Sequence, residues 1–451
     1  MKGKDIIILF TVLWLSCSPS MAQEQRDTLS GVPWTLDRCV EYALKNNIDI
    51  KRKELALESK EVAISEGRWA FSPRVYFSTS GSISSGRVLD QTTYEFIKSS
   101  MIGNGSSSIA GSVDLFSGMS RVYALQRAKL DLQSESTSFE SLKYDVRKSV
   151  TAAFFAVLCA EADYQSAFQA RNLLESQLGR ITNLVEVGVV TESDRLQAKA
   201  QLYAAECDLV TAEGVVESTR MELCQLLEIQ DYSSFSIAEE TVLPNYYLNF
   251  SSTGKTVTSR PEYRSAELAI EIARKDLLIA KSAFYPSLSL SAGYGTSYST
   301  ARQKYFQNLD GTFRYEVYPF FEQYADNRSS YVSLSLNIPI FNAMSTHNAV
   351  KRREIAVQDA EFFLLKTEKE LNKEYIQARI DCQTAYKKYL AAKEQLNFAE
   401  EAERQVRERY ELGASNYNAW NTAATELAKA RYSLSEAKYT YMFVRKILEL
   451  F

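Results

Sequence analysis

The chain has 451 residues, a formal net charge of −4 and acidic and basic side chains in near balance. Lysine and arginine form no basic stripe, which argues against nucleic acid as a partner. The only histidine, His347, excludes a histidine-based metal cluster and stands in a Ser-Thr-His-Asn segment typical of a strand-to-helix junction. Because no nucleophile–base pair or phosphate-binding loop stands out, we expect neither an enzyme nor a cofactor.

The first 22 residues have the pattern of a secretory signal peptide. Two lysines precede an apolar run at residues 6–15 that is too short to cross a bilayer, and small residues end the segment at Ala22. The pattern predicts cleavage before Gln23 and export of the remaining chain. The alternative is a lipoprotein acylated at Cys17, although Trp14 stands where such signals usually carry leucine.

Beyond residue 23 no run of about twenty apolar residues occurs, so no transmembrane helix is predicted. Only helices and closed β-barrels satisfy every backbone polar group in lipid, so this chain would enter a membrane as strands of a barrel. The five cysteines of the mature chain are Cys39, Cys159, Cys207, Cys224 and Cys382. Their odd number, the lack of a CxxC spacing and their place in helical heptads predict buried free thiols.

The mature chain contains one internal duplication. Three segments recur in the same order, with 46–73 matching 259–286, 114–120 matching 339–345, and 185–188 matching 410–413. The first pair aligns without a gap and ends in both copies on Phe-x-Pro. This order predicts a first repeat over 34–230, a connector over 231–258 and a second repeat over 259–451.

Each repeat contains a predicted strand hairpin, over 73–116 in the first and 286–341 in the second. The last strand alternates most clearly, with Val332, Leu334, Leu336, Ile338 and Ile340 on one side and Ser333, Ser335 and Asn337 on the other. One apolar side and one small polar side fit a barrel wall with lipid outside and water inside. An ordinary half-buried antiparallel sheet would show the same pattern.

A long helical hairpin follows the strands in each repeat. Apolar residues recur every three or four positions, which predicts left-handed coiled-coil packing. Helices of about 65 residues would each be roughly 100 Å long. Gly188 and Gly413 stand where the chain must reverse, and Thr191 and Ser415 are placed to cap the helices that follow.

Four strands from one chain cannot close a membrane barrel, because the smallest transmembrane barrels have about eight strands. An open sheet would leave unpaired edges in lipid. Closure therefore requires two or more copies of the chain, and the same assembly would gather the long helices into a tube. Three copies would supply about twelve strands.

Several segments resemble the TolC family of outer-membrane efflux and secretion channels. The opening helix at 34–47, the Phe-x-Pro strand entries and the turn at 187–198 carry a resemblance that covers essentially the whole mature chain. It implies a mixed membrane α/β fold: a homotrimer with a twelve-stranded β-barrel, a coiled-coil α-barrel in the periplasm, and an equatorial belt from 231–258 and the chain end. It also implies a passive exit duct for efflux or type I secretion, served by a periplasmic adaptor and, through it, an inner-membrane pump.

The resemblance assigns roles to the tips of the helical hairpins. Residues at the two turns would contact the adaptor: Gly188, Val189, Thr191, Gly413, Ala414 and Ser415. Asp194 and Tyr410 match positions that close the tunnel in the family and are gate candidates, although Asp194 also fits a solvated carboxylate at a helix start. Ser415, Ala419 and Thr422 stand where the best-known member has an arginine and two aspartates, so a charged closing network of that kind is not expected.

Two alternatives stay open at this point. The aromatic segment at 302–328 fits either an interfacial girdle or a folded extracellular lid, and we favour the lid. The alternative function is a non-conducting periplasmic or surface coiled-coil scaffold, against which the serine-rich strands argue because a scaffold needs no such sheet. The residues identify neither the cargo nor the cognate pump.

Overall fold

The computed structural model describes residues 33–89, 96–232, 235–238 and 257–450. The predicted signal peptide, Cys17 and most of the connector at 231–258 lie outside the described residues. Long helices and a smaller number of strands make up the described chain, as expected for a mixed fold. Within these ranges, no helix combines the length and the apolar character needed to span a membrane.

The two halves of the chain share one order of elements. The first half contains α1 (Leu36–Asn46), α2 (Ile48–Trp69), β1 (Arg74–Leu89), β2 (Phe96–Ser117), α3 (Ser120–Glu186) and α4 (Glu192–Leu226). The second half contains α5 (Pro261–Ser282), β3 (Ser287–Ser299), β4 (Gln303–Gln307), β5 (Phe313–Val317), α6 (Phe320–Asp326), β6 (Ser329–Asn337), α7 (Ser345–Glu411) and α8 (Tyr417–Leu450). From α2 onward the second half thus follows the first, with β4, β5 and α6 inserted between its two sheet strands. Among the described elements, α1 has no α-helical counterpart in the second half.

The four long strands form one antiparallel sheet in the order β1-β2-β3-β6. Ile109 pairs with Phe77 on one side and Tyr294 on the other, while its neighbour Ser108 pairs with Ser78. The apolar face carries Val75, Phe77, Ile109, Val113, Leu288, Leu290, Tyr294, Val332, Leu334 and Leu336. The hydroxyl face carries Ser78, Ser80, Ser106, Ser108, Ser289, Ser291, Ser333 and Ser335. The predicted alternation therefore extends across the whole sheet.

The apolar face is uncovered in the single chain, where the side chain of Val332 is 77 % exposed. Within the described residues, β1 and β6 each pair on one side only, so the sheet has two open edges. The last strand is shorter than predicted: β6 ends at Asn337, and the expected strand positions Ile338 and Ile340 lie beyond it. The reason is Pro339 between them, which has no N–H to continue the ladder.

The helices form a bundle at one end of the sheet. Helices α3 and α7 have 67 residues each, which corresponds to about 100 Å. Helices α4 and α8 have 35 and 34 residues, so the predicted length of about 65 residues is wrong for both return helices. After α4 the backbone at Glu228 turns with a φ of 59°. The side-chain amide of Asn47 donates to the carbonyl of Leu226 over 3.3 Å, so the start of α2 lies next to the end of α4.

The main core lies near the middle of α3, where the ends of several helices meet. Its buried members include Trp34, Leu36, Cys39, Ala43, Val150, Phe154, Leu158, Leu223, Leu227, Phe235, Tyr439 and Met442. The backbone N–H of Trp34 donates to Ser236 over 2.9 Å, and that of Ala238 donates to Trp34 over 2.8 Å. The described part of the connector and the end of α8 therefore belong to one core.

The five cysteines differ in burial, and all are free thiols. Cys39, Cys224 and Cys382 are buried and Cys159 is half-buried, but Cys207 is exposed, so the prediction of buried thiols is wrong for Cys207. Burial raises the pKa of Cys39 to about 12 and that of Cys224 to about 11. Because the thiolate is the reactive form, these two thiols are structural rather than reactive.

Candidate functional site at the helical tips

Two glycines reverse the chain at the tips of the helical hairpins. Gly188 follows α3 with a φ of +78°, and Gly413 follows α7 with a φ of +73°. The N–H of Gly188 donates to Val185 over 2.9 Å, and that of Gly413 donates to Tyr410 over 3.0 Å. Nothing lies within 4 Å of the place where a Cβ would stand on either glycine. Left-handed backbone, rather than close packing, therefore requires glycine here.

The residues predicted to contact an adaptor lie on the outside of these turns. Exposed among them are Gly188, Val189, Thr191, Gly413 and Ala414, while Ser415 is half-buried. Two neighbours that the sequence reasoning missed are large, apolar and uncovered: Val187 is 70 % exposed and Leu412 is 84 % exposed. Each tip thus exposes at least one large apolar side chain.

The start of α4 is fixed by a reciprocal cap. The backbone N–H of Asp194 donates to Thr191 Oγ1 over 3.3 Å, and the backbone N–H of Thr191 donates to Asp194 Oδ2 over 3.2 Å. The Thr191 hydroxyl also donates to Asp194 Oδ2 over 2.6 Å. Asp194 therefore has a defined structural role at the helix start, beside the gate role suggested for it.

The start of α8 is capped by a different residue from the one predicted. The carbonyl oxygen of the Asn416 side chain accepts from Ala419 N over 2.8 Å, one turn into the helix. The expectation that Ser415 caps α8 is therefore wrong. Asparagine is as good an N-cap as serine, and the chain needs one more residue here before the helix begins at Tyr417.

An aromatic cluster, the tip cluster, fills the space between the two helical hairpins. Its buried members are Ile181, Ala198, Tyr417 and Trp420, with Tyr410 packed against them. The rings of Tyr410 and Trp420 stack with centroids 5.0 Å apart. Burial raises the pKa of Tyr410, and burial together with the nearby Tyr410 and Asp194 raises the pKa of Tyr417 to about 12. Both phenols therefore stay neutral.

Polar contacts join the first helical hairpin to the second around this cluster. The hydroxyl of Tyr417 donates to Gln201 Oε1 over 2.6 Å, and Gln197 donates to Asn418 Oδ1 over 3.2 Å. One charged contact, from Arg180 to Glu411 over 3.3 Å, lies at the surface with both side chains about half exposed. The hairpins are thus joined by the packing of Tyr417 and Trp420 against Ile181 and Ala198, by uncharged side-chain hydrogen bonds and by one exposed ion pair.

This arrangement joins the two helical hairpins at their tips. Among the residues described, no set of three or more His, Cys, Asp or Glu side chains is placed to hold a metal ion. Thr422 stands at one of the three positions where the best-known family member has a charged residue. Its hydroxyl donates to Asn418 O in its own helix over 2.8 Å.

A family model described as outer membrane efflux protein matches residues 39–227 and 254–442. The chain belongs to the outer membrane efflux protein family. The two matched segments correspond to the two repeats found in the sequence, and they cover most of the chain. The resemblance read from the residues and the predicted outer-membrane location are confirmed.

Two relatives of this efflux protein are named as outer membrane proteins. Outer membrane protein TolC of Vibrio cholerae is 22% identical over 329 residues, which cover 71% of this chain and 70% of that protein. The probable efflux pump outer membrane protein SepC of Pseudomonas putida is 22% identical over 263 residues, 56% of this chain and 52% of SepC.

Solved structures show the same fold. The Campylobacter jejuni CmeC outer membrane channel superposes with a TM-score of 0.78 at 17% identity, over 92% of this chain and 84% of CmeC. The Neisseria gonorrhoeae MtrE outer membrane channel in its open state superposes with a TM-score of 0.71 at 19% identity, over 92% of this chain and 88% of MtrE.

The sequence predicted only some of the residues that form the tip contacts of the efflux protein. Tyr410 was named, but its ring partner Trp420 and the hydrogen-bonding Tyr417 were missed. A usable signal existed: Tyr417 and Trp420 are three residues apart and therefore share one helix face. Gln201 carried no signal, because only the packing of α4 against α8 brings it to Tyr417.

Proposed function

We propose that this outer membrane efflux protein is the exit duct of a tripartite efflux pump or a type I secretion system. It conducts substrate passively from a periplasmic adaptor and an inner-membrane pump to the outside of the cell. It works as a homotrimer with four barrel strands per chain, a twelve-stranded β-barrel and an α-barrel of coiled-coil helices. No residue has a catalytic role, because the pump supplies the energy.

The observation that carries the proposal is the two-faced, open-edged sheet. Leaving the side chain of a leucine or valine in water rather than in an apolar environment costs roughly 1.5–3 kcal/mol, and ten such or larger side chains line the apolar face. The open edges of β1 and β6 leave unpaired N–H and C=O groups. Pairing β1 of one copy with β6 of the next would bury both edges, and three copies would enclose the hydroxyl faces around water.

The helices supply the periplasmic part of the duct. Each 67-residue helix is long enough to run from the membrane deep into the periplasm. On one flank of α3, α2 and α4 are stacked through the contact between Asn47 and Leu226. The wall therefore keeps an even thickness along its length, as a tunnel requires. We assign the equatorial belt to the core around Trp34 and Phe235.

The tips are proposed as the docking and gating end. The exposed side chains of Val187, Val189 and Leu412 give an apolar contact surface to the adaptor. Gly188, Thr191, Gly413, Ala414 and Ser415 shape this surface. Tyr410 and Asp194 remain the gate candidates, and Tyr410 acts through its stack on Trp420. Opening would separate the two hairpins mainly at uncharged contacts, and the charged contact described between them at the tip, Arg180 with Glu411, is exposed. The effect of salt on gating should therefore be small.

The test is the mass of the complex extracted from an outer-membrane fraction. A particle of about three protomers, released only by detergent, supports the trimeric barrel. Val332→Asp, on the apolar face, should prevent that complex from forming, whereas Ser333→Asp at the next position, on the hydroxyl face, should preserve it. A monomer or dimer that is soluble without detergent would instead support the non-conducting coiled-coil scaffold.

A further inference from the structure

The second strand hairpin carries a folded aromatic extension at residues 303–328. Strands β4 and β5 pair as a short antiparallel hairpin between Gln303–Gln307 and Phe313–Val317, and α6 follows directly. The first repeat has no counterpart of this extension among its described elements. Its position between β3 and β6 places it at the end of the sheet opposite the long helices.

The edge of β3 holds α6 in place through one buried glutamine. Gln323 is 1 % exposed, donates to Ser299 O over 3.0 Å and accepts from Ser299 N over 3.0 Å. Asn327 donates to Ser297 O over 2.7 Å. These bonds satisfy the backbone of β3 just past Gly295, where pairing with β6 stops. The extension therefore continues the edge of the sheet as a rigid part of it.

The extension leans onto the apolar face of the sheet. By strand alternation, Thr296 and Tyr298 belong to this face, and so does Ser107, which lies opposite Thr296. The hydroxyl of Thr296 donates to Tyr324 O over 2.8 Å, and the hydroxyls of Ser107 and Tyr324 are 3.2 Å apart. The ring of Phe320 lies 4.7 Å from that of Tyr298. A lid over a lumen would need contacts on the hydroxyl face, so these contacts favour the girdle over the lid.

The extension exposes several large apolar side chains. Its uncovered side chains are Tyr305, Phe306, Leu309, Phe313, Val317 and Phe321. Phe321 is 84 % exposed, although its ring is 5.3 Å from that of Phe320. Among the charges of the extension, Lys304 pairs with Glu322 and Arg314 with Glu316, while Asp310 is exposed in the turn and accepts from Thr312. The extension therefore combines exposed aromatic rings with few unpaired charges.

We infer that the aromatic extension anchors the protein in the outer leaflet of its membrane, at the level of the headgroups. The inference rests on the proposed barrel, whose lipid-facing surface would be the apolar face. The extension continues the apolar face beyond Thr296 and Tyr298. It would therefore contact the same lipid layer as that face. Tyrosine favours this level of a bilayer because its ring is apolar and its hydroxyl stays in water, and phenylalanine adds apolar area on the lipid side.

Tryptophan fluorescence in lipid vesicles tests the anchor. Full-length protein with Phe321→Trp is reconstituted in phosphatidylethanolamine–phosphatidylglycerol vesicles that carry nitroxide lipids, and the signal of the wild-type tryptophans is subtracted. The added tryptophan should emit at shorter wavelength than in water, and nitroxides near the headgroup should quench it more than those near the chain end. Leu412→Trp, at a helical-tip position that is also 84 % exposed, is the matched control and should stay unquenched.

A third variant separates the anchor from the barrel. Val332→Trp places the probe on the apolar face, where nitroxides near the chain end should quench it. Quenching at Val332→Trp without quenching at Phe321→Trp would overturn the anchor and leave the barrel standing. Quenching at neither position would overturn the membrane barrel, and the anchor with it. Quenching at both, each by its own depth of nitroxide, supports the anchor.

Discussion

The indole N–H of Trp420 donates to Glu403 Oε1 over 3.0 Å, and both side chains are buried. A buried carboxylate is costly unless it is paired, and the nearest cation, Arg407, lies 3.6 Å from Glu403 on the outer side of the same helix. The indole is therefore held in one orientation, which presents its face to Tyr410. The stack at the helical tip thus depends on a charged side chain about two helical turns before Tyr410.

Trp420→Ala should open the tip. It removes the stack with Tyr410 and the hydrogen bond to Glu403, each worth about 1 kcal/mol, and leaves a cavity beside Ile181 and Ala198. We expect a higher conductance or longer open times in planar bilayers and greater sensitivity of cells to large antibiotics. Leu412→Ala, at the same tip but outside the tip cluster, should leave the conductance in planar bilayers unchanged, because no adaptor is present there. Equal conductance of Trp420→Ala and wild type in assembled trimers would remove the tip cluster from the gate.

The two turn glycines should tolerate alanine poorly, for a reason that is purely conformational. Gly188→Ala and Gly413→Ala each force a side chain into left-handed backbone, at a cost of about 1–2 kcal/mol. Nothing stands in the way of the new methyl group, so no steric clash adds to this cost. Chemical denaturation of the detergent-solubilised protein measures the change.

Gly179→Ala is the matched control for the turns. Gly179 lies inside α3, also in open space but without a positive φ. Alanine there should raise the free energy of unfolding by roughly 0.5–1 kcal/mol. If alanine at Gly188 and Gly179 had the same effect, the left-handed turn would not be what requires glycine.

The duplication, the strand faces and the turn glycines could be predicted because each has a local signature in the sequence. These signatures are recurring segments, alternation along a strand, and glycine where a turn needs a positive φ. The length of α4 could not. Helices α2 and α4 both pack an apolar stripe against α3. Periodicity does not show that α4 ends near Glu228 and that α2, which begins at Ile48, covers the next part of α3. The contacts at the tip could not be predicted for a similar reason, because the hydrogen bond between Tyr417 and Gln201 joins residues 216 positions apart. Local patterns fix elements, whereas partners depend on how the hairpins pack.

The middle of the helical wall should respond to pH through Asp163. Burial, and then the negative charge of Glu436 on α8, raise the pKa of Asp163 from 3.8 to about 6. The thiol of Cys159, 3.9 Å away, only partly offsets this, and Tyr432 faces the same pair. A raised pKa means that the folded state holds the proton more tightly than the unfolded state. The free energy of unfolding therefore falls as the pH rises from about 4 to about 6.

Asp163→Asn removes the buried charge at every pH. We expect it to raise the midpoint of thermal unfolding near neutral pH and to raise it less below about pH 4, where Asp163 is already protonated. Asp359→Asn, at an exposed position on α7, is the control and should give the same small effect at both pH values. A gain from Asp163→Asn that did not depend on pH would contradict the raised pKa.

Asp194 has two candidate roles, and one substitution separates them. Asp194→Asn keeps an oxygen that can accept from Thr191 N, so the cap should survive with a loss of a few tenths of a kcal/mol at most. It also removes one negative charge per chain, and therefore three from the proposed trimer. If Asp194 contributes to an acidic entrance, the cation preference of the channel should fall, as measured by reversal potentials in a salt gradient. Asp194→Ala, which loses the cap as well, should in addition lower the free energy of unfolding by about 1 kcal/mol. An unchanged reversal potential in both variants would leave Asp194 as a helix cap alone, and gating would then rest on Tyr410 and its stack with Trp420.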